Sequence, residues 1–174
     1  MRRFVLGVLT ALSLGGCLGL PANLEPVTGF EVERYTGTWY EIYRLDHPFE
    51  RGLSQVTATY TLQEDGSVKV ENYGVKPDGS ADTIVGKALL QGDPTVGSLK
   101  VSFFGPFFAG YHIIALDKEN YQYAMVAGPN FDYLWILSRT PQLSQETTDL
   151  LMMQAEEGGY DLSGLITVEQ LVAE

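Results

Sequence analysis

The chain has 174 residues, 45% apolar and 19% charged, which is enough for one folded domain with a sizeable core and too apolar for a disordered chain. Its formal net charge of −11 leaves no basic stripe to neutralise phosphates. That argues against nucleic acid as a partner and against general attraction to anionic lipid surfaces.

Arg2 and Arg3 open the chain, and Phe4 to Leu14 is an apolar run too short to span a bilayer stably. Leu14-Gly15-Gly16-Cys17 follows. An apolar residue three before a cysteine, with small residues between, suits a lipoprotein signal peptidase, although Ala or Ser is preferred where Gly15 stands. On this reading residues 1–16 are a signal peptide. The Cys17 thiol then takes a diacylglyceryl group, and its freed amine takes a fatty acyl chain such as palmitate. Each buried methylene adds about 0.8 kcal/mol to the anchoring. The competing reading is an ordinary secretory signal with a chance cysteine. Cys17 is the only cysteine in the chain, which favours lipidation and excludes an internal disulfide. Leu18 rather than aspartate follows it, which points to the outer membrane in a Gram-negative organism. Residues 17–28, with Pro21 and Pro26 and little periodicity, read as the lipidated start and a tether. Residues 29–174 read as one domain.

Short β-like segments come next. Gly37 to Leu45 is the first. Val56 to Leu62 alternates strictly, placing Val56, Ala58, Tyr60 and Leu62 on one face. Glu64-Asp65-Gly66 turns the chain into Ser67 to Val75, and Lys76-Pro77-Asp78-Gly79 turns it again into Thr83 to Leu90. Leu99, Val101 and Phe103 alternate in a fifth strand that Gly105-Pro106 breaks. Tyr111 to Leu116, Tyr121 to Ala127 and Tyr133 to Ser138 complete the set. Ser144 is a fitting N-cap, and Thr147, Leu150, Leu151 and Ala155 recur at helical spacing until Gly158-Gly159. Leu165 to Val168 reads as a last short strand. Eight short strands joined by short turns predict an all-β antiparallel meander. It either closes into an eight-stranded up-and-down barrel with the helix packed outside, or folds as a sandwich.

Three sites carry a family resemblance. Gly37-Thr38-Trp39-Tyr40 matches the G-x-W-Y signature that opens the first strand of lipocalins. Leu116-Asp117 fits the second signature, with its tyrosine displaced to Tyr121. Arg139, just after the eighth strand, fits the third. Longer stretches, among them Asp46-His47-Pro48-Phe49-Glu50-Arg51-Gly52, Val101 to Phe107 and Asp132 to Pro141, resemble the bacterial outer-membrane lipocalins. That branch is similar to apolipoprotein D and to plant temperature-induced lipocalins. The resemblance implies a lipid-anchored barrel that carries or stores fatty acids or lysophospholipids in the cell envelope, and it allows homodimers. In physical terms, Trp39 would plug the closed end, with Arg139 over its indole and on nearby backbone carbonyls. Gly37, Trp39, Tyr40, Asp117 and Arg139 are thus expected to be structural.

Catalytic constellations are scarce. His47 lies in a loop beside Pro48, and His112 sits in a strand, facing out or near a rim. The two have no pair at metal-ligand spacing, so no metal and no cofactor is expected. Cys17 is consumed by lipidation, no G-x-S-x-G elbow is present, and the carboxylate pairs lie in turns. Aromatic residues are the notable resource. Tyr43, Tyr60 and Phe103 fall on faces expected to point inward, and with Ile113 and Met125 they are assigned to the ligand wall. Arg44 or Arg51 would meet a polar head. Phe103-Phe104-Gly105-Pro106-Phe107-Phe108 reads as an open-end lip, a membrane-contacting loop or a dimer surface. An enzyme on the same barrel, and a structural lipoprotein with a filled barrel, are the competing readings of function.

Overall fold

The computed structural model describes residues 18–171. Cys17 and residues 1–16, expected to be a signal peptide, lie outside the described residues. A four-residue helix, α1 (Val32–Tyr35), precedes β1 (Gly37–Leu45), β2 (Ser54–Leu62), β3 (Val68–Val75), β4 (Ala81–Leu90), β5 (Ser98–Phe104), β6 (Phe107–Leu116), β7 (Tyr123–Ala127) and β8 (Leu134–Ser138). Helix α2 (Gln145–Glu157) and strand β9 (Leu165–Thr167) follow. Each strand pairs antiparallel with the next, and β1 pairs with both β8 and β2. The sheet therefore closes on itself, which rules out the sandwich and removes the free edges of a meander.

Closure is uneven along one seam. β1 and β2 pair only from Gly37↔Tyr60 to Tyr40↔Thr57. Beyond that they separate, and the C-terminal segment enters the gap. β9 pairs with Tyr43 to Leu45, Val168 N–H donates to Ile42 O, and Gln55 N–H donates to Glu169 O. The Gln170 amide donates to Glu41 O and Val56 O, both at 2.8 Å, bridging the two strands. Gln170→Ala leaves two backbone acceptors short of a donor and is expected to cost about 1–3 kcal/mol by urea denaturation. A loss below about half a kcal/mol would show that the bridge is dispensable.

Helix α2 begins where Ser144 Oγ accepts the Thr147 N–H at 3.1 Å. It ends in a Schellman motif: Gly159 (φ +98°) donates to Glu156 O and Tyr160 donates to Ala155 O. Its buried face is Thr148, Leu151 and Ala155, one residue round from the expected Thr147 and Leu150; Leu150 is exposed. This face packs on Leu45, Met125, Ala127, Leu134 and Ile136, outside the barrel wall. A second core lies inside the barrel. Residues 18–28, expected to be a tether, instead lie along the outer wall. Pro21 is buried, Leu24 packs toward α2, and Val27 is bonded to both Gly97 and Ile113.

Candidate ligand-binding lumen

The closed end is built around Trp39, which is fully buried. Its indole N–H donates to Tyr35 O at 2.8 Å, so α1 is fastened beneath the first strand. The Arg139 guanidinium lies 3.9 Å from the Trp39 ring centroid. The same group donates to the carbonyls of Arg34, Thr36, Thr38 and Tyr121 at 2.9–3.2 Å. Gly37 makes room for it: its φ is +94°, and an added Cβ would stand 3.3 Å from Arg139 Nη1. Asp117 organises the neighbouring β6–β7 turn by accepting the N–H groups of Asn120 and Gln122. Tyr40 points outward and is half-buried.

Above this plug, three tyrosine hydroxyls form a chain. Tyr111 lies 2.7 Å from Tyr35 and 2.8 Å from Tyr60. Burial raises the pKa of all three, so they stay protonated. Two hydrogen bonds use two of the three O–H protons, and the third is left to donate to another acceptor.

Exposure of the inward residues is uneven. Leu99, Ile113 and Val126 are buried. Ala58, Asn72, Ile84, Val101, Phe103 and Trp135 are half-buried although they face inward in a closed barrel. The accessible surface on these residues belongs to a lumen. The β1–β2, β3–β4, β5–β6 and β7–β8 connections surround its mouth.

Beside β1 the wall carries a buried ionic cluster. Arg44 Nη1 donates to Glu41 Oε1 at 2.7 Å, and Nη2 donates to the carbonyls of Glu50 and Leu53. Burial, then the negative charge of Glu50, pushes Glu41 well above the ordinary carboxylate range despite Arg44. Burial also acts to raise Glu50, but the His47 and Trp135 N–H groups outweigh it and its pKa is lowered. Trp135 Nε1 donates to Glu50 Oε2 at 3.0 Å. His47 Nε2 stands at the same distance from that oxygen, off the line of a good hydrogen bond.

Of the residues assigned to the ligand wall, Tyr60, Phe103 and Ile113 belong to the interior core. Tyr43 and Met125 do not: both lie in the layer beneath α2. A β-bulge between Glu41 and Tyr43 adds one residue to the β1 count, so Glu41 and Arg44 face in and Tyr43 faces out. Met125 pairs with outward Ile136, and its neighbours Ala124 and Val126 take the inward places. The expected head-group cations are both committed elsewhere. Arg44 is buried against Glu41, and exposed Arg51 is paired with Asp46 at 2.7 Å. The Phe103–Phe108 run is a hairpin tip, with β5 and β6 continuing to a two-residue Gly105-Pro106 turn. Sequence reading missed Glu41, Tyr35 and Tyr111. Glu41 and Tyr111 take inward places by plain alternation, two residues from Trp39 and Ile113, whereas Tyr35 arrives on α1, which closes the end and leaves no period-two signal.

A model of the lipocalin-like domain matches residues 30–170. The outer membrane lipoprotein Blc of Vibrio cholerae is 47% identical over 169 residues, covering 97% of this chain and 99% of that one. The protein of the same name from Escherichia coli K12 is 52% identical over 151 residues, covering 86% and 85%. Insecticyanin from the tobacco hornworm Manduca sexta superposes with a TM-score of 0.71 over 88% of each chain at 21% identity, which shows the shared fold.

Proposed function

The chain belongs to the lipocalin family, and from that premise we propose that it is an outer-membrane lipoprotein whose barrel carries or stores one single-chain amphiphile, a fatty acid or a lysophospholipid. The observation that carries this reading is the accessible surface on inward side chains of a closed barrel. Ala58, Val101 and Phe103 offer an apolar wall, and burying an acyl chain there contributes about 25 cal/mol per Å². With no unpaired cation on Arg44 or Arg51, affinity comes from the tail rather than from ion pairing of the head. Anchoring falls to the acyl groups proposed on Cys17. No helix among the described residues is long and apolar enough to cross a membrane.

Native extraction followed by mass spectrometry is expected to show a stoichiometric fatty acid or lysophospholipid. Ala58→Phe combined with Val101→Phe fills the lumen and is expected to weaken binding of a fluorescent fatty acid about tenfold or more. The cost to the fold is about 1–3 kcal/mol from tighter packing. Unchanged affinity in this variant, or a wild-type protein that binds no such probe, would sink the reading. Cys17→Ser is expected to release the chain from the membrane fraction.

A further inference from the structure

We infer that the barrel mouth faces the bilayer and that the β5–β6 hairpin dips Phe104 and Phe107 into the lipid interface. The geometry starts from the first described residues. Leu18 and Gly19 are seated on the outer wall of β6. A Cβ placed on Gly110 would stand 2.9 Å from Gly19 O and 3.1 Å from Leu18 O, so only glycine admits the segment there. His112 fastens it, with Nε2 2.9 Å from Gly19 O and Nδ1 3.0 Å from Ser98 Oγ, and is itself buried. Both contacts are satisfied when Ser98 donates to Nδ1 and Nε2–H donates to the carbonyl.

This seat fixes where Leu18, the residue that follows Cys17 in the chain, lies on the barrel. Gly110 is three residues from Phe107 at the mouth and six from Leu116 at the closed end. At about 3.3 Å per residue, the seat of Leu18 lies about 10 Å from the hairpin tip and about 20 Å from the closed end. The tip bears two of the three most exposed aromatic side chains among the described residues: Phe107 is 78% exposed and Phe104 66%. The nine residues from Ser102 to Gly110 carry no charge. Phe49, 71% exposed, stands on the β1–β2 loop of the same mouth. At this end Asp46 pairs with Arg51 and Lys76 with Asp82, and Asp78 and Asp132 are exposed. The Leu18 seat beside the mouth and the uncharged apolar tip thus select one occupant for this surface: the lipid bilayer, with the lumen opening onto it.

The orientation rests on the proposed lipidation of Cys17, and the experiment separates the two. In the acylated chain the Cys17 thiol is occupied, so Phe107→Cys supplies the one free thiol for a nitroxide label, and the intact mass reports acylation independently. Reconstituted into vesicles of phosphatidylethanolamine with a minority of phosphatidylglycerol, this label is expected to become accessible to oxygen and protected from a water-soluble nickel chelate. A label at Glu64→Cys on the closed end is expected to stay in water. In the soluble Cys17→Ser chain, Phe104→Ser with Phe107→Ser is expected to lower vesicle partitioning about tenfold or more, while fluorescent fatty-acid binding is retained. A water-exposed label at 107 in the acylated chain overturns the proposal. So does a lipid-immersed label at 64, or protection at 107 that appears without vesicles and grows with protein concentration, which would assign the tip to a second copy of the chain. Loss of fatty-acid binding with rim immersion intact would instead count against carriage alone.

Discussion

Arg139→Ala is expected to destabilise the barrel by about 3 kcal/mol, read as a shift in the urea midpoint at unchanged slope. The contact over Trp39 contributes roughly 0.5–2 kcal/mol, and the rest comes from four backbone carbonyls that lose a charged donor together. Those carbonyls belong to three separate places: α1 and the residue after it, the start of β1, and the β6–β7 turn. The substitution therefore unfastens the whole closed end rather than one contact. Arg139→Lys separates charge from shape. An ammonium keeps the cation but cannot reach four acceptors as a planar fork does, so it is expected to recover less than half of the loss. Full recovery by lysine would overturn the fork argument. A cost of under about 1 kcal/mol for alanine would show that α1 holds without it.

Arg44→Met is expected to cost about 3–5 kcal/mol at neutral pH, because Glu41 is then left buried without its cation and the carbonyls of Glu50 and Leu53 lose a donor. The sign of the pH dependence is a sharper test. Glu41 already titrates well above its unfolded range, because of burial and then the negative Glu50. Removing Arg44 raises it further. A carboxyl with a raised folded pKa gives its full share of stability below the unfolded pKa of about 4.3, and that share is lost as pH rises through the folded pKa. The Arg44→Met variant should thus be least impaired in acid and lose stability progressively toward neutrality. Glu41→Gln added to Arg44→Met removes the group that titrates. The double variant should regain much of the loss at pH 7 and show no such slope relative to the single variant. Glu50, whose pKa is lowered, contributes the opposite slope to both chains, and the comparison between them cancels it to first order. Equal stability of the two variants at every pH would overturn the account.

Much of the fold was legible because its signals are local. Strict alternation of Val56 to Leu62 needs only the pleat, and β2 runs from Ser54 to Leu62. Ser144 and Gly158-Gly159 mark the helix ends because capping involves residues within one turn. Signals failed where parity was broken. One bulge in β1 moved Tyr43 from the lumen to the helix layer and put Arg44 inside with Glu41, where alternation alone would not have placed it. Met125 shows the related limit: in β7 both faces are buried, one by the lumen core and one by α2, so hydrophobicity cannot tell them apart.

By itself the sequence determined the strand number, the turns that join them, the outer helix, and the Trp39 and Arg139 positions. Each depends on periodicity, turn chemistry or a short motif, which are properties of neighbouring residues. Tertiary structure alone decided the rest. It closed the sheet with a C-terminal strand and Gln170 across the seam between β1 and β2. It joined Tyr35, Tyr60 and Tyr111 into one hydroxyl chain, from positions up to 76 residues apart. It also seated Leu18 and Gly19 on β6 through His112. These contacts join residues that no sequence window spans, and their geometry exists only once the barrel has closed.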